Sequence, residues 1–502
     1  MRVDRPPRHA RSALAAGLLA VAVLLAACTT QTPVVPTQTP SPSATPRPFT
    51  IVTTGAVTSA DPAVATGYTD SLVVTSVYQR LMVVLPDTGE LKPDLATDCL
   101  FTSKLVYECT LPDDLFFHNG HVLDSSDVKF SIQRALRLDA ADTSIGLLSA
   151  LKQIETPDAH TVEFELSWPD NQFGYALAGQ AASIVDEEAF DPDTPLPLET
   201  LPAGSGPYEV QTITDDAVTF SRFDKYLGPK TGLLDELKLE IVADSVAAEA
   251  VIADGTADVV WRSLDSAALQ RVTDEIAGSS TKSTATGFTR YAMPGTRITQ
   301  LVWNEDSRLR KNSKLREGVA KALQSDRTLD SIVPVGVADH ATSFLIGGRV
   351  KLPDLEGSRI IMTLGYSPSA PGQADQASII RDRIEGLGGV SVRLVSSGTA
   401  DLSLTDFPAW VNNATGWLQR YLERPLSASA DKLELLETRA RTTSGDSRTA
   451  ALTEIQLQAA ADATVLPVSQ GDGILFLGKG VSLIGEAFGS GQILGLWGFI
   501  RG

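Results

Sequence analysis

The chain reads as an α/β protein, and three observations say so. Segments that alternate apolar and polar residues, such as "DAHTVEFELS" (158–167), recur between segments whose apolar residues repeat every three or four positions. In "ADSVAAEAVIADGTADVVW" (243–261), Asp244 is placed to cap a helix of Ala and Val, Gly255 stops it, and "ADVVW" continues as a strand. Beyond an N-terminal stretch of biased composition remain about 450 residues, enough for two or three domain-sized units. Strands alternating with helices on this scale imply sheets whose ligands sit at strand ends.

Taken in order, the first element is not part of the fold. Arg2, Arg5, Arg8 and Arg11 precede an apolar run from about Ala13 to Ala27, with small residues before Cys28. That is the pattern of a secretory signal, too short to span a bilayer comfortably. "LAAC" matches the bacterial lipobox, so residues 1–27 are expected to be removed and Cys28 acylated. A diacylglyceryl cysteine anchors stably where one acyl chain would not. Residues 28–48, rich in Thr and Pro, cannot bury a core and are expected to be a disordered linker, reaching up to roughly 60 Å at about 3 Å per residue.

"PFTIVTT" (48–54) reads as a strand and "DSLVVTSVYQRLM" (70–82) as a helix. "DCLFTSKLVYECTL" reads as a hairpin turning around Ser103–Lys104, which sets Cys99 opposite Cys109 and Phe101 opposite Tyr107. Directly opposed residues lie within disulfide range, and an even pair of cysteines in an exported chain favours the bond; two buried free thiols are the alternative. Asp124, with Asp127 three residues on, is placed to cap a helix over 125–137. Residues 189–204, rich in Pro, read as a crossing, and "GSGPY" (204–208) as a backbone-shaping turn expected near a hinge. "VTFSRFDKY" and "LKLEIVAD" read as strands. Beyond residue 262 the pattern gives strands at 298–306, 359–366 and 390–395, helices at 313–324 and 376–389, and "ADLSLTDF" at 400–407.

Several chemistries are excluded. A formal charge of −19, more negative still once the four arginines of the leader are gone, argues against nucleic acid, whose phosphates demand Lys and Arg. "GILFLGKG" (473–480) has a phosphate-loop frame but Gly480 where Ser or Thr is needed, and its apolar middle wants to be a buried strand. His118 and His121 flank Asn-Gly, the mark of a hairpin turn rather than a metal site. No G-x-S-x-G elbow or other catalytic constellation is present, so neither an enzyme nor a cofactor is expected.

"DPAVATGYTDSLVVTSVYQRLMVVLPDTGELKPDLATDC", "YECTLPDDLFFHNGHVLDSSDVKFSIQRAL", "GSGPYEV", "FDKYLGPKTGLLDELKLEIVADSVAAEAVIADGTADVVW", "LVWNEDSRLRKNSKLREGVAKAL" and "ATVLPVSQGDGILFLGKGV" together resemble, in order, the peptide- and nickel-type (family 5) extracellular solute-binding proteins, the capture subunits of ABC importers. The resemblance implies a two-lobed periplasmic-binding-protein-like fold with an extra subdomain inserted in the first lobe. Its boundaries would be 49–85, 203–262 and 466–502 for the lobe I core, 86–202 for the insertion and 263–465 for lobe II. It implies a monomeric receptor on the outer face of the bacterial cytoplasmic membrane, lipid-anchored, that captures a small solute, a peptide by preference, and delivers it to the permease subunits. Ligand contacts are expected from Tyr68, Trp261, Trp303, Asn304, Asp406, Trp410 and Trp417, with Asp406 available to pair with a ligand ammonium. Trp168 and Trp497 are expected in the core. The chain departs from the family where "ADLSLTDFPAWVNNATGW" replaces a Gly-Trp…Asp-Tyr…Asp-Pro pattern, and its second lobe looks shortened. Those departures motivate an alternative: a non-transporting envelope sensor or interaction lipoprotein on the same scaffold.

Overall fold

The computed structural model describes residues 47–502 apart from positions 87, 232, 349, 354, 356, 358, 407, 408, 485, 486, 490 and 491. Cys28 and its flanking leader and linker lie outside the described residues. Residues 48–502 cluster as one unit.

Ten strands form one sheet: β1 (Phe49–Thr53), β2 (Tyr208–Ile213), β3 (Ala217–Arg222), β4 (Glu236–Ile241), β5 (Val259–Trp261), β6 (Thr289–Trp303), β7 (Ile360–Gly365), β8 (Val390–Val395), β9 (Leu402–Thr405) and β10 (Val465–Leu477). Their spatial order is β8-β7-β9-β6-β10-β5-β1-β4-β3-β2. β1, "FTIVT", is buried at every position, because parallel β4 and β5 flank it and elements cover both faces. β7, β8 and β9 are parallel to one another in the other half.

Among the described strands, only β6 and β10 pass between the halves. They pair antiparallel from Thr289↔Leu477 to Met293↔Gly473, break, and resume from Arg297↔Gly471 to Val302↔Val465. The break holds Pro294, which cannot donate to a ladder, and Gly295, whose φ of 67° suits glycine. Opposite it a Cβ on Gly473 would meet the side-chain ends of Met293 and Thr296 at 2.6 Å, which would have to shift.

Each half has its own core. Ile51, Leu72, Val74, Phe220 and Leu239 lie in one cluster, and Trp303, Leu315, Met362 and Leu402 in another. Residues 81–184 supply a third cluster under a separate antiparallel sheet of strands Asp98–Ser103, Val106–Thr110, Thr161–Leu166 and Leu151–Asp158. There Cys99 pairs with Cys109 and Phe101 with Tyr107, and a disulfide joins the cysteines across a Cα separation of 4.1 Å. A bulge after Phe101 moves the turn to Lys104–Leu105, one residue beyond the expected place. The helix Ser125–Leu138 has its reciprocal cap: Asp124 accepts from the Ser126 N–H at 2.7 Å, and Asp127 accepts from the Asp124 N–H at 3.0 Å.

Two expectations are corrected. The first helix runs Tyr68–Val77 rather than 70–82, since the Gly206 N–H bonds the Val77 carbonyl and closes its end. For the same reason "GSGPY" is not at the hinge: Gly204 and Gly206 press on Val77, where any Cβ would collide, and Tyr208 begins the outermost strand. That strand lies five positions from β10, or roughly 24 Å at the usual strand spacing. Three helices at Ala414–Leu422, Ala430–Thr442 and Gly445–Asp462 fill the stretch that sequence patterning left unassigned.

Candidate functional site

The C-terminal ends of β1 and β5 from one half and of β7, β8 and β9 from the other, parallel within each half, converge on one cleft. A chamber of about 570 Å³ is lined on one side by Thr53, Gly55, Ala56, Thr58, Gly67–Asp70 and Trp261–Arg262. The other side is formed by Gly365–Ala370, Gln373, Val395–Gly398 and Ser403–Asp406. A side chamber of about 270 Å³ shares Gly398, Ser403 and Thr405 with it and adds Asp142, Trp303, Asn304, Arg420 and Arg424. Crevices at strand ends are where ligands bind in open α/β sheets, and the volume suits a small ligand.

At the floor, Arg262 holds an unusual backbone, φ 50°, and lays its guanidinium over the Tyr68 ring at 3.7 Å. Trp261 meets the same ring edge-on, centroids 6.4 Å apart. Burial pushes the Tyr68 hydroxyl well above the ordinary tyrosine range, so it stays a neutral donor. Asp406, at the end of β9, receives Arg262 Nη2 at 2.6 Å and Arg297 Nε at 3.4 Å on one carboxylate oxygen. Burial alone would lower the Arg262 pKa, but Asp406 and Tyr68 outweigh it and hold the pKa above its ordinary value. Burial does lower the Arg297 pKa, which Asp406 only partly offsets. Arg297 also donates to the Pro371 carbonyl, and Thr54 Oγ1 to the Ser369 carbonyl at 3.1 Å. The Thr54 bond crosses the cleft, whereas the Arg297 bond braces the second half beside the β6–β10 break.

The expected contact residues divide accordingly. Tyr68, Trp261 and Asp406 come together in the main chamber. Trp303 and Asn304 line the side chamber, though Trp303 is 2% exposed and Asn304 is held in a turn by Asp306 and Ala400. Trp410 and Trp417 line neither chamber. Trp417 faces inward from its helix and donates to Asn412 at 3.0 Å within a cluster of Leu and Ala; Trp410 packs against the inserted subdomain beneath Arg420. Nor is Asp406 open for a ligand ammonium, because two arginines of the chain already hold it. Residue patterning missed Arg262, Arg297, Arg420, Arg424 and Asp142. Trp168 lies under Arg441 and Trp497 is buried, as core residues.

Among the described residues no cluster of His, Cys, Asp and Glu could hold a metal, and no helix is long and apolar enough to cross a membrane. His118 instead pins "GSGPY", its Nε2 donating to the Gly206 carbonyl at 3.0 Å and its Nδ1 accepting from the Gly204 N–H at 3.3 Å.

Residues 90–354 match the model of the bacterial extracellular solute-binding proteins, family 5. The solved structures that resemble the chain include a dipeptide-binding protein from Pseudoalteromonas sp. SM9913 in complex with Met-Leu, 17% identical, TM-score 0.75, covering 91% of this chain and all of that one. They also include the ABC transporter-associated protein DppA from Helicobacter pylori with the peptide STSA, 17% identical, TM-score 0.73, covering 86% and 94%. A curated relative, the HTH-type transcriptional regulator SgrR of Salmonella choleraesuis, is 27% identical over 183 residues, 36% of this chain; the match spans only 31% of the regulator's length. The family model covers more than half of the sequence and the structural matches give the two-lobed fold, so the chain belongs to the family 5 bacterial extracellular solute-binding proteins, which bind solutes and are not enzymes.

Proposed function

We propose that the protein is the lipid-anchored receptor of an ABC importer, acylated at Cys28, that captures a short peptide in the cleft and hands it to the permease. The observation that carries this reading is the convergence of five strand ends from both halves on one chamber, with only two strands crossing behind it. In this reading Tyr68 and Trp261 contact the ligand at the floor, and Asn304 beside the side chamber. Ligand bridging the two walls favours the closed arrangement and so shifts the population of the receptor. Micromolar capture requires about −8 kcal/mol, within reach of stacked rings and several hydrogen bonds. The peptide bound to each of two structural relatives supports the ligand class. In this reading the lobes meet at the β6–β10 break, so the first lobe continues through residue 293.

Calorimetry of the mature chain against a pool of di- to pentapeptides should show binding in the micromolar range. Mass spectrometry should find diacylglyceryl on Cys28, and Cys28→Ala should release the protein from cells. Absence of peptide heat together with unchanged membrane retention of the variant would sink the proposal. A second reading, a ligand sensor rather than a transporter, draws on the regulators among the relatives; it requires solute uptake to survive deletion while transcription changes.

A further inference from the structure

We infer that the cleft selects a solute whose bound groups carry no positive charge, and that Arg262 and Arg297 set this specificity by occupying Asp406. The inference rests on the receptor reading above. Each charged side chain that lines the two chambers already faces a partner belonging to the chain. Asp70, buried, accepts from the N–H groups of Thr58 and Ser59 at 2.7 and 3.2 Å and from the Thr58 hydroxyl at 2.6 Å. Asp406 holds Arg262 and Arg297. In the side chamber Asp142 lies 3.2 Å from Arg424 and 3.9 Å from Arg420, and Arg424 also reaches Glu305 at 3.7 Å.

A ligand ammonium would have to displace a guanidinium from a carboxylate it touches at 2.6 Å, leaving a buried charge unpaired. No accessible pH frees the acid, because arginine does not give up its proton. Uncharged groups are also available for recognition. The hydroxyls of Ser396, Ser397, Ser403 and Tyr366 line the main chamber and make no hydrogen bond inside the described protein. The Trp303 indole N–H, on a 2% exposed residue lining the side chamber, is buried without a partner. Buried donors without partners are rare and costly, but this one is closed to the chamber and adds no ligand contact. In peptide terms the fitting solute has a blocked or cyclised amine; a carbohydrate likewise brings no cation.

The test is calorimetry on the mature wild-type chain with three probes: Ala-Ala-Ala-amide, a cation; its N-acetyl form, neutral; and cellotriose, neutral and not a peptide. At least one neutral probe should bind tenfold or more tighter than the cation. In R262Q/R297Q, with Asp406 released, the cation should gain at least tenfold over its N-acetyl form. In D406N, which removes the acid, it should not gain. Wild-type preference for the cation overturns the inference and leaves the receptor reading standing. Cellotriose binding alone supports it and removes the peptide from that reading. Silence from all three probes overturns both. The wild-type comparison decides the matter even if a variant fails to fold.

Discussion

Arg262 makes its contacts from a backbone conformation that costs a non-glycine residue about 1 kcal/mol, and its guanidinium spans from Tyr68 to an acid 144 positions away. Nothing in the sequence beside it announces that. Aromatic residues at strand ends could be read as cleft residues, because strand termini face the crevice; whether Asp406 was free or paired depended on the three-dimensional partner. Trp417 shows the opposite limit, since an aromatic near the ligand region points inward once its helix forms. At this scale a pH effect is expected at His118. Burial pushes its imidazole down to about 4 from an ordinary 6.5, against the opposing pull of the Gly206 bond. The stability it contributes is therefore whole above about pH 6.5 and is lost as pH falls toward about 4. Asp127, raised by burial to about 6 from 3.8, acts in the reverse sense over the same window. The useful readout is thus the difference in Tm between wild type and H118Q, which should shrink on acidification from pH 7 to 4.5. A gap that stays constant would refute the assignment.

Short capped elements were the most legible in sequence. Asp124 with Asp127, and Asp244 with Gly255, mark their helices because the same side chains that stop alternative conformations satisfy the helix ends. D124A should lower stability by about 1 kcal/mol in urea unfolding, and D124S should restore most of it; equal losses in both would point away from capping. The helices between Ala414 and Asp462 were harder to read because their exposed faces carry apolar residues too, Leu435 and Leu457 among them. β6 was read only from residue 298. Its earlier half, "TRYAM", is largely exposed and interrupted by Pro294 and Gly295, so neither period two nor an apolar run betrays it.

Across the whole molecule, the α/β class and the two-lobed plan were legible because strand–helix alternation and the ordered family segments extend over most of the chain. The contacts that hold the walls together were not. Opposite the hinge, Arg441 and Asp170 pair at 3.0 Å with both side chains almost fully buried, and the Asn171 N–H bonds the Arg441 carbonyl at 2.9 Å. This ties the inserted subdomain to the helices of the second half. R441M should cost about 3 kcal/mol by stranding Asp170, and X-ray scattering should report a larger radius of gyration. D170L/R441M, with no stranded charge, should recover most of the stability yet remain expanded. An unchanged radius in both variants would show that the pair does not hold the walls together.

Because one ten-stranded sheet runs through both walls, with β6 and β10 as its crossing strands, the receptor behaves as a leaf spring folded at Pro294–Gly295 and Gly471–Gly473. Such a spring flexes readily in one plane and resists shear or torsion. The jaws should therefore meet each time in the same alignment, presenting a permease with one repeatable outline whatever cargo lies inside.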